Sequence, residues 1–556
     1  MIKNFQLKFG RSPGSTGEII AATPVTVFVG PNNSGKSRAL REIEQYCRTG
    51  TTDANSLILS QLSFNEQTVE AATASINKLL MPAQLGESLN VGYIFVGSQR
   101  GRNQLQREQL YHIAQQPMVN PQLFCQWYFT HLVLMLNGSN RMNLVNSMPA
   151  GDLQRPANNS FQALFQNDKK RYEVRRIVHE AFDRYFVIDP TNLGNLRIRL
   201  SERPPNNPVE ERGIHAEAIE FHSKAQEITE ASDGVKAFTG IITEVLAGDP
   251  SLILIDEPEA FLHPSLASKL GQELSRAALS SDKRVFVSTH SPQFVMGCIQ
   301  SGAPVNIIRL TYRGGVPTAR LLPSEEILEL MRHPLLRSTG VLSGLFYEFV
   351  VVTESDADRA FYQEINERLL QFKPDWGIPN CLFINAQNKQ TIHTLLRPLR
   401  KLGIPAAGVV DVDILKEGGT NWINLISGAN IPPLSHSSMG TMRAAVKGAM
   451  DATGKDMKRD GGLGILDDSN KQAAEILFDQ LSQYGIFAVP SGELESWLKS
   501  LDAKGHGPNW LIDIFEKMGE DPLNENYVKP SIDDVWFFIN KIRNWLVNPS
   551  RFGIPI

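Results

Sequence analysis

The segment Gly30-Pro31-Asn32-Asn33-Ser34-Gly35-Lys36-Ser37 follows directly on the apolar run Val25 to Val29. It narrows the folds open to this chain more than any other feature. Gly-x-x-x-x-Gly-Lys-Ser works as a loop between a buried strand and a helix, where glycines let the backbone curl and present successive N–H groups to phosphate oxygens. In that arrangement Gly30, Asn32, Asn33, Ser34 and Gly35 form the cradle. Lys36 reaches the terminal phosphates of ATP, and Ser37 ligates Mg²⁺. An α/β fold with a parallel sheet follows, since such loops sit at the carboxyl ends of parallel strands.

A matching half-motif lies more than two hundred residues on, at Leu252-Ile253-Leu254-Ile255-Asp256-Glu257-Pro258. Asp256 at the end of a buried strand can hold Mg²⁺ or its water, and Glu257 can orient the attacking water. Ala231-Ser232-Asp233-Gly234-Val235 opens a helix before that strand, and Val285-Phe286-Val287-Ser288-Thr289-His290 puts a histidine after the next one. Between the half-motifs, a strand-like run from Val91 to Val96 ends at Ser98-Gln99-Arg100. The stretch from about 102 to 187, rich in Gln, Asn, Leu and aromatics, reads as a helical insertion. Its Trp127-Tyr128-Phe129 reads as core or a dimer surface rather than a base-stacking platform.

This order of motifs resembles the ABC-type ATPases of repair and recombination. The resemblance implies that Ser232 and Gly234 contact ATP bound to a second copy, that His290 senses the γ-phosphate, and that Gln99 is the Q-loop residue, an ordinary loop glutamine being the competing reading. His263, in Phe261-Leu262-His263-Pro264, falls in the family's dimer-facing loop, with helix capping as its alternative role. Ala231 and Asp233 depart from the usual Leu-Ser-Gly-Gly signature.

Past a hinge-like stretch from Arg320 to Thr339, strand–helix alternation restarts. Apolar strands at 349–353, 381–384, 406–410 and 485–489 imply a second, smaller parallel sheet. Three of them lead into acids: Glu354 and Asp358, Asp411 and Asp413, and Glu493 and Glu495. Carboxylates gathered on one sheet edge repel one another unless hard divalent cations join them, Mg²⁺ or Mn²⁺ being the natural partners. The same gathering suits two-metal phosphodiester chemistry.

Glu-x-x-x-Asp after one strand and Asp-x-Asp after another resemble the TOPRIM domain. An ABC-like ATPase followed by TOPRIM is similar to the OLD family (overcoming lysogenization defect), which includes Gabija nuclease subunits and retron-linked effectors. The resemblance implies an ATPase domain over 1–335 and a TOPRIM nuclease domain with a helical tail over 340–556. It implies Glu354, Asp411 and Asp413 as catalytic, with Asp358, Glu493 and Glu495 as further metal ligands. A basic residue near the C-terminus assists in this family; Lys541 is the candidate and Arg543 the alternative. Ser355 stands where family members commonly have glycine. The run Lys455 to Gly462 reads as a solvated polar loop, a mobile phosphate-contacting loop being the alternative.

Net charge of −4 gives no global sign of nucleic acid, but a local basic groove can coexist with acidic ligands. Four scattered cysteines without a CxxC pair, and no apolar run of membrane-spanning length, lead us to expect a cytoplasmic protein without membrane association. The resulting expectation is an ATP-regulated, metal-dependent DNA endonuclease of phage defence. It would be a homodimer or homotetramer, with a reverse transcriptase or helicase as the partner the family suggests. The competing reading is an ATP-dependent sensor or scaffold that binds nucleic acid or an effector without cutting; a DNA repair clamp ranks last.

Overall fold

Apolar runs with no alternation must be covered on both faces, and Val25–Val29 is buried at every position. The computed structural model describes the chain except residues 84–85, 99–100, 156, 249, 335, 337–339 and 556, and the side chains of 329–330. The chain divides into two units, Met1–Leu328 and Glu329–Ile556.

In the first unit, Val25–Val29 lies in a six-stranded sheet. It is flanked by Arg284–Ser288 and Val305–Arg313, and Leu252–Asp256 and then Val133–Leu136 continue the sheet beyond Arg284–Ser288. These five strands are parallel; Val316–Leu322 closes the other edge antiparallel to Val305–Arg313. Asp256 pairs with Ser288, so both functional strand ends lie side by side. The opening strand Ile2–Leu7 pairs antiparallel with Ile19–Ala21.

The segment 102–187 is not the helical insertion its composition suggested. It holds the helices Arg107–Gln115, Pro121–Trp127, Ser160–Gln166 and Asp168–Phe182, but also Val133–Leu136, an edge strand of the main sheet. Four apolar residues fit a strand or a helix face equally well, so periodicity could not decide. Tyr128 and Phe129 are buried, and Phe129 and Phe124 pack their rings on Phe64 at 4.9 Å. The aromatic run is core.

In the second unit the sheet is wholly parallel, in the order Cys381–Asn385, Phe349–Thr353, Ala406–Val410, Ile486–Ala488. The last three, each leading into an acidic pair, are neighbours. The starts of Ala406–Val410 and Ile486–Ala488 are held by Arg400, which is fully buried. Its guanidinium donates to Ala406 O at 2.9 and 2.7 Å, Ala429 O at 2.7 Å and Gly485 O at 3.3 Å. Arg400→Met strands these carbonyls, so unfolding of the second unit in urea should lose about 2–4 kcal/mol of stability. An unchanged transition would mean that water replaces the guanidinium.

Candidate functional site

The first unit assembles a nucleotide site. Gly30 has φ 143°, and a Cβ there would lie 2.0 Å from Leu310 O, so neither its backbone angle nor the space beside it admits another residue. The loop closes on Lys36, whose ammonium donates to Gly30 O at 2.9 Å and Pro31 O at 2.8 Å. Burial pulls Lys36 down to about 8 against Glu257, Asp256 and Glu259. Ser34 Oγ is buried without a partner, a donor suited to a phosphate oxygen. Asn32 and Asn33 are exposed at the rim, and Ser37 lies half-buried on the first helical turn.

Opposite stand Asp256, bonded to Ser288 Oγ, and Glu257, 3.5 Å from His290 Nε2. Glu257 is held at φ 51°, in the left-handed region. Glu259, half-buried and raised by desolvation, accepts the His290 N–H at 2.7 Å. Ser232 is exposed at the N-cap of Asp233–Ala247, and Gly234 packs under Phe261 O. His263 caps Pro264–Ser280, with Nδ1 at 3.0 Å from Ser265 Oγ.

Gln99 lies outside the described residues. The strand before it, Tyr93–Ser98, belongs to a separate three-stranded antiparallel sheet, not the main one. The neighbour of the Asp256 strand is Val133–Leu136, which ends at Asn137. Just beyond, Arg141 is buried and donates to Glu257 O at 2.5 Å and Asp256 O at 3.4 Å. The sequence reading missed Asn137 and Arg141; the apolar run before Asn137-Gly138 was the available signal.

The second unit gathers the acids. One oxygen each of Glu354, Asp411 and Asp413 lie within 4.8 Å of one another. Glu354 Oε1 accepts the Asp411 N–H at 2.9 Å, which ties the two strand ends together. Burial, then neighbouring Asp411, pushes the Glu354 carboxyl well above its usual range. Burial also raises Asp411, against the pull of Lys458. Asp413 Oδ1 is buried with no hydrogen-bond partner. An all-oxygen set with an orphaned lone pair fits a hard divalent cation.

Asp358 stands outside that trio. It forms a capping box with Ser355: its Oδ2 accepts Ser355 N at 2.9 Å and Oγ at 2.6 Å. Ser355 has φ −127°, so no glycine is required there. Glu493 and Glu495 form a second group with His506, which sequence reading missed; Glu495 lies 2.6 Å from His506 Nδ1. Lys541 is not brought to the acids. It is exposed on Asp534–Val547, its ammonium 5.2 Å from the Phe537 ring, and Arg543 donates to Gly377 O. The heptad-like apolar face of that helix turns Lys541 outward.

Instead, the cations at the centre are Lys458, 2.7 Å from Asp411 and 3.4 Å from Glu493, and Lys389, 2.6 Å from Asp413. The loop carrying Lys458 is largely solvated, with Lys455, Asp456, Arg459 and Asp460 exposed, but it is anchored. Met457 is buried, Leu463 N donates to Pro490 O at 2.8 Å, and a Cβ at Gly492 (φ 130°) would lie 2.0 Å from Lys458 O.

The family model described as "AAA domain, putative AbiEii toxin, Type IV TA system" matches residues 138–296. A stretch of 176 residues is 30% identical to the Old nuclease of Escherichia phage P2, covering 30% of this chain. Both are similarities over part of the chain, one to an AAA-type ATPase domain and the other to a segment of that nuclease. The chain spans 28% of that relative's length. Among solved structures, an SMC head bound to the C-winged helix domain of ScpA aligns over 59% of this chain and 99% of its own, at 14% identity and TM-score 0.33. The SMC head domain from Thermotoga maritima aligns over 58% and 99%, at 14% and 0.29. No helix among the described residues is long and apolar enough to cross a membrane.

Two outcomes follow for the nucleotide site. Phosphate binding needs Lys36 charged, so ATP affinity should fall as pH rises from about 7 to about 9, with proton uptake on binding at the upper end. Calorimetry in buffers of different ionisation enthalpy measures that uptake; pH-independent affinity would refute it. Arg141→Met frees the Glu257 backbone and should slow ATP turnover about 10- to 100-fold with nucleotide affinity retained, Arg141→Lys recovering part. Lost affinity at unchanged turnover would assign Arg141 to binding instead.

Proposed function

We propose that this chain is an ATP-regulated, divalent-metal-dependent DNA endonuclease whose cutting centre is a TOPRIM-like site in the second unit, acting in phage defence. The observation that carries this reading is the Glu354, Asp411 and Asp413 trio at adjacent parallel strand ends, with Asp413 Oδ1 buried and unpaired. The name of the phage relative, Old nuclease, supports the same reaction class.

Glu354, Asp411 and Asp413 would hold Mg²⁺ or Mn²⁺, which supplies a polarised water and charge neutralisation at a phosphodiester. Asp358 orients the strand-to-helix turn through its capping box rather than binding as a member of the trio. Glu493 and Glu495 flank the centre, and the Lys389 and Lys458 ammonium groups offer contacts to backbone phosphates. Asp411 N–H holds Glu354 in place.

In the first unit, Lys36 and Ser34 would bind the ATP phosphates while Ser37 and Asp256 hold Mg²⁺. Glu257 orients the hydrolytic water and His290 senses the terminal phosphate. Exposed Ser232 and half-buried Gly234 would meet nucleotide on a second copy, which makes a homodimer or homotetramer the working assembly. Nucleotide state would then govern the nuclease, with a reverse transcriptase or helicase as a candidate defence partner.

The test is cleavage of plasmid and single-stranded DNA with Mg²⁺ or Mn²⁺, with and without ATP. Glu354→Ala and Asp411→Ala should each reduce cleavage at least about 10³-fold without changing ATP turnover. Persistent cutting by Asp411→Ala protein sinks the assignment. Binding of DNA without cutting by the wild type under every metal would make the chain a sensor or scaffold.

A further inference from the structure

Lys458 is placed where two acidic groups meet. Its ammonium lies 2.7 Å from Asp411 Oδ2, 3.4 Å from Glu493 Oε2 and 3.9 Å from Asp413 Oδ2. Asp411 and Asp413 belong to the trio with Glu354; Glu493 belongs to the group with Glu495 and His506. One lysine therefore bridges both groups, whereas Lys541 forms no ion pair among the described residues and lies over Phe537.

The lysine is also held. Its own N–H donates to Asp456 Oδ1 at 2.8 Å, and Gly462 N donates to Met457 O at 3.1 Å. Its carbonyl lies against Gly492, the residue just before Glu493, and Val412 N donates to Gly492 O at 2.9 Å. The lysine loop, the Asp411–Asp413 turn and the Glu493 turn are thus one connected backbone unit. A loop built to swing away would not be packed against both of the turns whose acids it neutralises.

We propose that Lys458 is a resident cation of the acidic centre, filling the position between Asp411 and Glu493 so that the centre takes one divalent ion rather than two. Its role in cleavage rests on the nuclease reading; its effect on metal binding does not. A fixed ammonium beside a single ion neutralises the carboxylates and leaves donors for a phosphate oxygen where charge develops.

The deciding measurement is calorimetric titration of Mn²⁺ into nucleotide-free, full-length protein, with Asp411→Asn as the reference for the acidic centre. Wild type should lose one bound ion on passing to Asp411→Asn. Lys458→Met should bind one ion more than wild type, and Lys458→Arg the same number as wild type. A loss of two ions from wild type, or equal counts in wild type and Lys458→Met, overturns the proposal. The wild-type comparison decides even if Lys458→Met does not fold. The dependence of cleavage on Mn²⁺ gives a second readout: a slope of about 1 in wild type and about 2 in Lys458→Met, with a lower maximal rate in the variant. Absence of cleavage in wild type would count against the nuclease reading alone, since the ion count stands apart from it.

Discussion

Carboxylates brought together out of water set the terms for the second unit. Two unit charges 4 Å apart repel by about 4 kcal/mol at the effective dielectric near a protein surface, and burial adds a desolvation cost for each. Glu354, Asp411 and Asp413 stand close at the ends of neighbouring strands, and their surroundings answer that repulsion in three ways. A backbone N–H of Asp411 binds Glu354, two lysines bind Asp411 and Asp413, and proton affinity rises on Glu354 and Asp411. The buried Arg400 ties down the opposite ends of the two strands that lead to Asp411 and Glu493.

The first unit meets a different constraint with similar means. Phosphate binding requires a backbone that turns sharply, and Gly30 turns where Leu310 O leaves no room for a side chain. Glu257, proposed to orient the attacking water, is held in a left-handed conformation that costs about 1–3 kcal/mol. Arg141 offsets that cost by binding the carbonyls of Asp256 and Glu257 from the turn that follows the neighbouring edge strand. Local strain at Glu257 is thus supported by a group distant in sequence.

Much of this was legible in the residues. Val25–Val29 and Leu252–Asp256 are unbroken apolar runs, and such runs between turn signals read as buried strands whatever the rest of the chain does. The acids after 353, 410 and 489 declared themselves because they follow runs of the same kind. The edge strand Val133–Leu136 did not, because four apolar residues amid helical spacing carry no period of their own. Lys458 was hidden for another reason. A charged residue among Asp, Gly and Lys looks solvated unless the two glycine turns that pack its loop are seen in place.

By itself, the sequence determined the two phosphate-site half-motifs, the two α/β units and the strand ends on which acids fall, because these depend on local periodicity and on residues with narrow backbone or ligand chemistry. Tertiary structure alone decided which acids share a site and which cations accompany them. It set Asp358 into a helix cap, drew His506 to Glu495, left Lys541 on the surface and placed Lys458 between Asp411 and Glu493. Those outcomes turn on strand order and loop packing, and a charge has no preferred partner until the chain has folded around it.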